Sequence, residues 1–507
     1  MPQLIALRRE PVVRAPAFAA APLTPRYARH APERTLLYAL VQAHYPDFLE
    51  RLAQEDRAVP EYVREELDEF LRCGVLEHGF LRVACEHCHA ERLVAFSCKK
   101  RGFCPSCGAR RMAESAKHLV EDVFGPRPVR QWVLSVPYPL RFLFASKPDA
   151  IGPVLGIVQR VIAGWLADQA GVERSSAQCG AVTLIQRFGS ALNLNVHFHM
   201  LWLDGVYASG AGTPRLQRAR APTSAQLTAL AGTIARRVCR HLMRKGWLEE
   251  EGEAAFLADS AVGDEGMDAL RMHSITYRIA TGHDAGRRVV TLQTLPGDDG
   301  MLEGEAGKVG GFSLHAGVAA EAHEGRKLER LCRYITRPAI SEQRLSISPH
   351  GRVRYQLKTP WKNGTTHVEF EPVEFIAKLA ALVPPPRVHL TRFHGVFAPN
   401  ANWRAQLTPS GRGKRPATDT EPKVDDHDRR TPDERRRAMT WAQRLKRVFG
   451  IDVSTCVHCG GAVRIVASIE EPHAIRAILA HFEKHGVREP AYYRPVPRGP
   501  PVAVEAA

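Results

Sequence analysis

Apolar residues recur three and four positions apart soon after the chain begins. In "RTLLYALVQAHYPDFLERLAQ" (34–54) and "PEYVREELDEFLRCGVL" (60–76) this spacing predicts two helices, the second opened by Pro60. From about residue 128 the pattern changes. "VRQWVLSVPYPLRFLFA" (129–145) predicts a strand followed by a turn, and the apolar stretch from 151 to 169 predicts a helix. "GAVTLIQRFG" (180–189) and "NLNVHFHMLWLDGVY" (193–207) read as two strands joined by the short turn "SALN", a hairpin. A further helix is expected over 223–247, and "GRKLERLCRYITRP" (325–338) predicts a short helix stopped by Pro338. A second hairpin is expected about Asn363 and Gly364, followed by the helix "VEFIAKLAALVPPP" (373–386). Residues 408–437 are polar, Pro-rich and charged, as linkers are.

These elements predict an α+β protein with a central antiparallel sheet of four or five strands and flanking helices. The division expected is a disordered basic arm (1–35), a helical and zinc-binding domain (36–125), a catalytic domain (126–400), a disordered linker (401–437) and a small C-terminal module with its tail (438–507). No internal repeat is visible.

Composition adds a partner. The 507 residues are 44% hydrophobic and 24% charged, and the formal net charge is +16. So basic a chain favours a polyanion, usually nucleic acid. The N-terminal stretch lacks the continuous apolar core of a signal peptide, and "IGPVLGIVQRVIAGWLA" is interrupted by Gln159 and Arg160. The expectation is therefore an intracellular protein with no membrane partner.

Five of the eleven cysteines fall together in or beside "CEHCHAERLVAFSCKKRGFCPSCGARR" (85–111). Two C-x-x-C knuckles, Cys85/Cys88 and Cys104/Cys107, lie fifteen residues apart, and this spacing predicts one tetrahedral zinc ribbon with four thiolates. Cys98, His87 and His89 are further candidates. Lys99, Lys100 and Arg101 flank the knuckles and suit phosphate contact. A distant pair, Cys456/Cys459, leads into a β-run; a full site there needs His458, His473, His481 or a second chain. That module is expected to be a small hairpin contacting DNA or protein, with a basic helix (435–447) before it.

In a strand, residues i and i+2 share a face, so His197 and His199 project together while Phe198 points into a core. If the first hairpin pairs about residues 191 and 192, Gln186 falls nearly opposite His197 and is a candidate third ligand; His315 is the reserve. Such an N/O set suits Mg²⁺ or Mn²⁺ acting on phosphate. On the helix over 325–338, Leu328, Leu331 and Ile335 share one face, and Arg326, Arg330, Arg333 and Arg337 gather on another. Tyr334 sits at the seam, where it is either a nucleophile for a phosphodiester or an ordinary boundary residue.

Taken in order, "SCKKRGFCPSCGARR", "FGSALNLNVHFHMLWLDGVY", "FSLHAGV" and "LERLCRYITRPAI" resemble the rolling-circle transposases of the insertion-sequence-91 and ISCR group, of the HUH endonuclease superfamily. The resemblance implies that His197 and His199 bind the metal and Tyr334 is the nucleophile, in a HUH catalytic domain behind an N-terminal zinc-binding domain. The founding members carry two tyrosines four residues apart; here those positions hold Arg330 and Pro338, which resembles a single-tyrosine subgroup. The implied activity is cleavage and rejoining of single-stranded DNA through a 5′-phosphotyrosine, with Mg²⁺ or Mn²⁺ catalytic and Zn²⁺ structural, in the bacterial cytoplasm at the nucleoid. No nucleotide cofactor is expected, because "GEAGKVGG" lacks the earlier glycine of a P-loop. The competing readings are a plasmid replication initiator or relaxase with the same chemistry, and a non-catalytic zinc-ribbon DNA-binding protein.

Overall fold

The hairpin built by residues 180–203 forms the middle of a six-stranded antiparallel sheet. Its strands lie in the order Ala306–Val309, Phe312–Ala320, Val129–Ser135, Leu194–Leu203, Gly180–Phe188, Thr391–Gly395. The histidine strand is thus internal, and the sheet is one strand wider than expected because both edge strands are short and carry little alternation. Both faces are covered, which is why the central strands read as nearly continuous apolar runs. On one face Trp132, Leu134, Phe198, Met200 and Trp202 pack under the helices Tyr138–Ser146, Ile151–Ala170 and Ser224–Arg244. On the other, Val182, Leu184 and Leu201 meet Leu119, Val123, Leu328, Cys332 and Ile335.

This computed structural model describes residues 31–208, 214–251, 254–258, 266–293, 306–409, 454–456 and 458–484. The basic arm up to residue 30, the linker from 410 and the helix expected over 435–447 lie outside the described residues.

One of the expected elements changes. "YPLRFLFAS" is a helix, Tyr138–Ser146, and not a turn: Pro137 caps it and Pro139 occupies its first turn, where a missing N–H is harmless. Ile151–Ala170 lies within a helical stretch long and apolar enough to cross a bilayer, yet Val154, Leu155, Val158 and Ile162 are buried against the sheet, as in a core helix.

A second sheet, ordered Val290–Gln293, Thr365–Phe370, Val353–Gln356, Leu345–Ile347, shares one core with the N-terminal helices Leu36–Gln54 and Glu61–Arg72 and with Pro372–Leu382. A third joins the two ends of the chain. Val463–Ile469 pairs antiparallel with Phe80–Cys85, which pairs in turn with Glu91–Ala95. The C-terminal β-run is therefore not a free hairpin: the partner of Val463–Ile469 is the N-terminal hairpin. The helix Pro472–Lys484 then seats Ile475 and Leu479 on Leu76, Phe80 and Leu93.

Candidate active site and cysteine centres

The hairpin register places Gln186 directly opposite His197 and Leu184 opposite His199, so all four share one sheet face. His197 and His199 are buried, and their Nε2 atoms stand 3.1 Å apart. Two ligands held roughly 2.1 Å from one ion at a right angle lie about 3 Å apart, so this pair suits a single divalent cation. His197 Nδ1 donates to the Asn195 carbonyl at 2.8 Å, which fixes the tautomer with its lone pair on Nε2. His199 Nδ1 lies 2.9 Å from Gln131 Nε2, which donates to it as placed; with that amide turned over, Oε1 accepts the Nδ1 proton and the Nε2 lone pair faces His197.

Burial holds both imidazoles well below their usual value. His197 falls to about 4, with Arg337 and Arg141 adding to the effect against the Asn195 hydrogen bond, and His199 falls to about 2, helped by His197 and Arg337. Both are neutral at neutral pH and free to ligate. Gln186 donates through Nε2 to the Ile335 carbonyl at 3.1 Å, and its Oε1 is buried without a hydrogen-bond partner among the described residues. An orphaned acceptor opposite His197 fits a cation ligand. His315 lies on Phe312–Ala320 opposite Val133, on the far side of the strand that pairs with the histidines, and is not brought to them.

Tyr334 comes from the helix Gly325–Ile335, whose Leu328, Cys332 and Ile335 are buried on the same sheet face. Its ring stands edge-on to His199, with centroids 6.1 Å apart, and is 36% exposed, so the phenol is open to a substrate. The Arg337 guanidinium and the Lys358 ammonium each lie 4.2 Å from its ring centroid. Lys358 was invisible in the sequence, being one lysine in a hairpin loop. Of the other predicted arginines, Arg333 pairs with Glu329, whereas Arg330 is exposed.

Beside this centre runs a cleft of about 300 Å³, lined among others by Lys100, Arg101, Arg111, Gln186, Arg187 and Arg337. Lys100 pairs with Glu65 at 3.0 Å and Arg101 donates to the Val388 carbonyl at 2.7 Å, while Lys99 is exposed. Arg187 is only 6% exposed, and its buried Nη2 has no hydrogen-bond partner among the described residues. Burial and the neighbouring Arg271 pull its pKa down to about 10.

The cysteines form two groups of four, and these are not the expected four. Cys104 and Cys107 join Cys73 and Cys98, whereas Cys85 and Cys88 join Cys456 and Cys459. In the first group the sulfurs of Cys73 and Cys107 are 3.6 Å apart, those of Cys98 and Cys107 3.5 Å, and those of Cys73 and Cys104 3.8 Å. Four thiolates about 2.3 Å from a tetrahedral zinc stand roughly 3.8 Å apart, so the set fits. The single ribbon fails because the strands Phe80–Cys85 and Glu91–Ala95 carry the first knuckle toward Val463–Ile469, while the second opens the helix Pro105–His118. Cys73 was missed, although three knuckles and Cys98 make seven cysteines, one short of two sites of four.

The first cysteine group also abuts the tyrosine helix. A Cβ on Gly108 would come within 2.7 Å of Pro338, so the knuckle helix and the end of the tyrosine segment touch at a glycine. Cys104 and Gly108 line the basic cleft.

A basic cleft beside a histidine pair and an exposed tyrosine, backed by a cysteine centre, has the parts of a DNA-processing enzyme, and comparison with known families gives its class: residues 180–404 match the transposase family Y2_Tnp. Residues 40–136 match the transposase zinc-binding domain of insertion sequence 91, and the chain belongs to the insertion-sequence-91 family of transposases. No curated protein and no solved structure gave a match. The first match spans His197, His199, Gln186 and Tyr334, and the second spans the cysteines from Cys73 to Cys107; neither reaches Cys456.

Proposed function

We propose that this transposase is a single-tyrosine HUH endonuclease that cleaves and rejoins single-stranded DNA at element ends in rolling-circle transposition. The observation that carries this reading is Tyr334 edge-on to His199, with the His197 and His199 Nε2 atoms 3.1 Å apart on the same sheet face. His197, His199 and Gln186 would hold Mg²⁺ or Mn²⁺, which when bound supplies charge neutralisation at a scissile phosphate.

The chain's own groups do the rest. Arg337 and Lys358, flanking the tyrosine ring, are positioned to meet the oxygens of a phosphate that reaches Tyr334. Tyr334 Oη attacks phosphorus, its proton passing to water. The P–O3′ bond breaks, and the 3′-oxygen takes up a proton, leaving a 5′-phosphotyrosine and a free 3′-hydroxyl. Attack by a different 3′-hydroxyl reverses the step, restores the phenol and joins the two strands, with no nucleotide consumed. Because Arg330 and Pro338 stand where a second tyrosine would be, Tyr334 acts in both cleavage and transfer.

The cleft is the track for the strand beside the scissile phosphate, with Lys99, Lys100, Arg101 and Arg337 as backbone contacts and Arg330 and Arg333 at its outer reach. Arg187, a buried guanidinium with an unpaired nitrogen, is matched by a phosphate in the cleft. Arg187→Met is expected to raise the Tm by a few degrees, because an uncompensated buried charge is removed, while weakening single-stranded DNA binding at least tenfold by titration. With DNA as its partner the protein would work at the bacterial nucleoid, and the Cys73, Cys98, Cys104 and Cys107 set would hold structural Zn²⁺.

The test is incubation with Mn²⁺ and a single-stranded oligonucleotide from the ends of its own element, read as a covalent adduct on a denaturing gel. Wild type is expected to form the adduct, and Tyr334→Phe none. An adduct in Tyr334→Phe, or none with wild type, overturns the reading, the latter in favour of a non-catalytic DNA-binding protein.

A further inference from the structure

We infer that Cys85, Cys88, Cys456 and Cys459 form a second zinc site, shared between the N-terminal hairpin and the C-terminal module, and that zinc there holds residues 454–484 onto the rest of the chain. The sulfurs of Cys85 and Cys459 are 3.5 Å apart and those of Cys88 and Cys456 3.6 Å, with all four within 4.8 Å of one another. A disulfide needs sulfurs about 2.05 Å apart, so these are tetrahedral spacings and not bonds. An all-sulfur tetrahedral set selects a soft ion, and redox-silent zinc is the one that suits a structural joint.

The surrounding backbone is built for thiolates. The His87 and Cys88 amides donate to Cys85 Sγ at 3.4 and 3.5 Å, and the Gly461 amide donates to Cys459 Sγ at 3.4 Å. Gly461 is also the point of closest approach. A Cβ there would lie 2.9 Å from His87 Cβ and 3.2 Å from Cys85 Sγ, so only glycine lets the two knuckles meet. The Glu86 amide reaches the Ala462 carbonyl at 2.9 Å, and the pairing continues from Cys85 opposite Val463 to Phe80 opposite Ile469.

Among the described residues, the module is otherwise held by that strand pairing and a small apolar core. Its buried core is Ile475 and Leu479 on Leu76, Phe80 and Leu93, while Ile465 and Val466 of its strand are exposed. Units with so small a core ordinarily depend on a metal or a disulfide. Cys88 and Cys459 are exposed, so this zinc is open to chelators and oxidants, and its loss frees the module. The inference is independent of the cleavage chemistry.

Elemental analysis of the full-length protein tests it. Wild type is expected to hold two zinc ions per chain, and Cys456→Ser combined with Cys459→Ser one. A second arm uses the full chain with a protease site inserted between residues 410 and 453 and cut after folding. The C-terminal piece is expected to co-elute with the body in zinc and to separate once a chelator is added. An unchanged zinc count in the double variant, iron in place of zinc, a piece that elutes apart while zinc is bound, or a piece that stays bound after all zinc is stripped overturns the inference.

Discussion

The two four-cysteine centres use the same chemistry and differ in everything around it. One joins Cys73 to Cys107 across 34 positions, with Cys73, Cys104 and Cys107 buried in the core that also holds Phe70 and Phe103. The other joins Cys85 to Cys459 across 374 positions, with two of its four cysteines exposed. The first is part of the wall of the basic cleft and touches the tyrosine segment through Gly108 and Pro338. The second closes a small sheet whose own core has, among the described residues, five buried side chains. With a metal in each, the buried set stiffens the body, and the exposed set decides whether a peripheral piece is docked.

Breaking the buried centre has the largest expected effect. Cys73→Ser leaves three thiols inside the core without their fourth partner, and the main unfolding transition in calorimetry is expected to fall by roughly 5–10 °C. The Mn²⁺-dependent adduct is lost with it, because the wall behind Tyr334 loosens; an unchanged Tm and adduct yield would show the two centres to be equivalent. A chelator challenge is next in size. Zinc release followed with a metal-sensitive dye is expected in two phases of equal amplitude, the exposed site emptying at least tenfold faster; one phase would erase the distinction. The smallest effect on the body comes from Cys456→Ser combined with Cys459→Ser. Its main transition is expected to stay within roughly 2 °C of wild type, and its adduct yield within twofold. A larger loss would show the C-terminal module to be part of the cleavage machinery.

Much of the candidate active site was legible beforehand because it rests on local rules. A tight hairpin fixes register, and with a side-chain period of two that register alone puts Gln186 opposite His197 and both histidines on one face. The helical period likewise placed Leu328 and Ile335 inward and Tyr334 at the seam. What was not legible came from elsewhere in the chain. Lys358 reaches the tyrosine ring from the loop of a different sheet, and Gln131 reaches His199 from a neighbouring strand. "PYPLRFLFA" misled because prolines that suit a turn suit the first turn of a helix equally well.

The sequence by itself determined the α+β character, the hairpin that carries the histidines, the helix that carries the tyrosine, and the presence of thiolate knuckles. Each is written in a spacing of a few residues, where backbone geometry leaves little choice. Only the tertiary structure decided which knuckles share a site. A metal centre imposes a distance of a few ångströms between sulfurs and none along the chain, so C-x-x-C marks half a site without naming the other half. Here the halves beginning at Cys85 and Cys456 meet because one strand adds to the edge of another, and the half at Cys104 is completed by Cys73 and Cys98, which no knuckle motif marks.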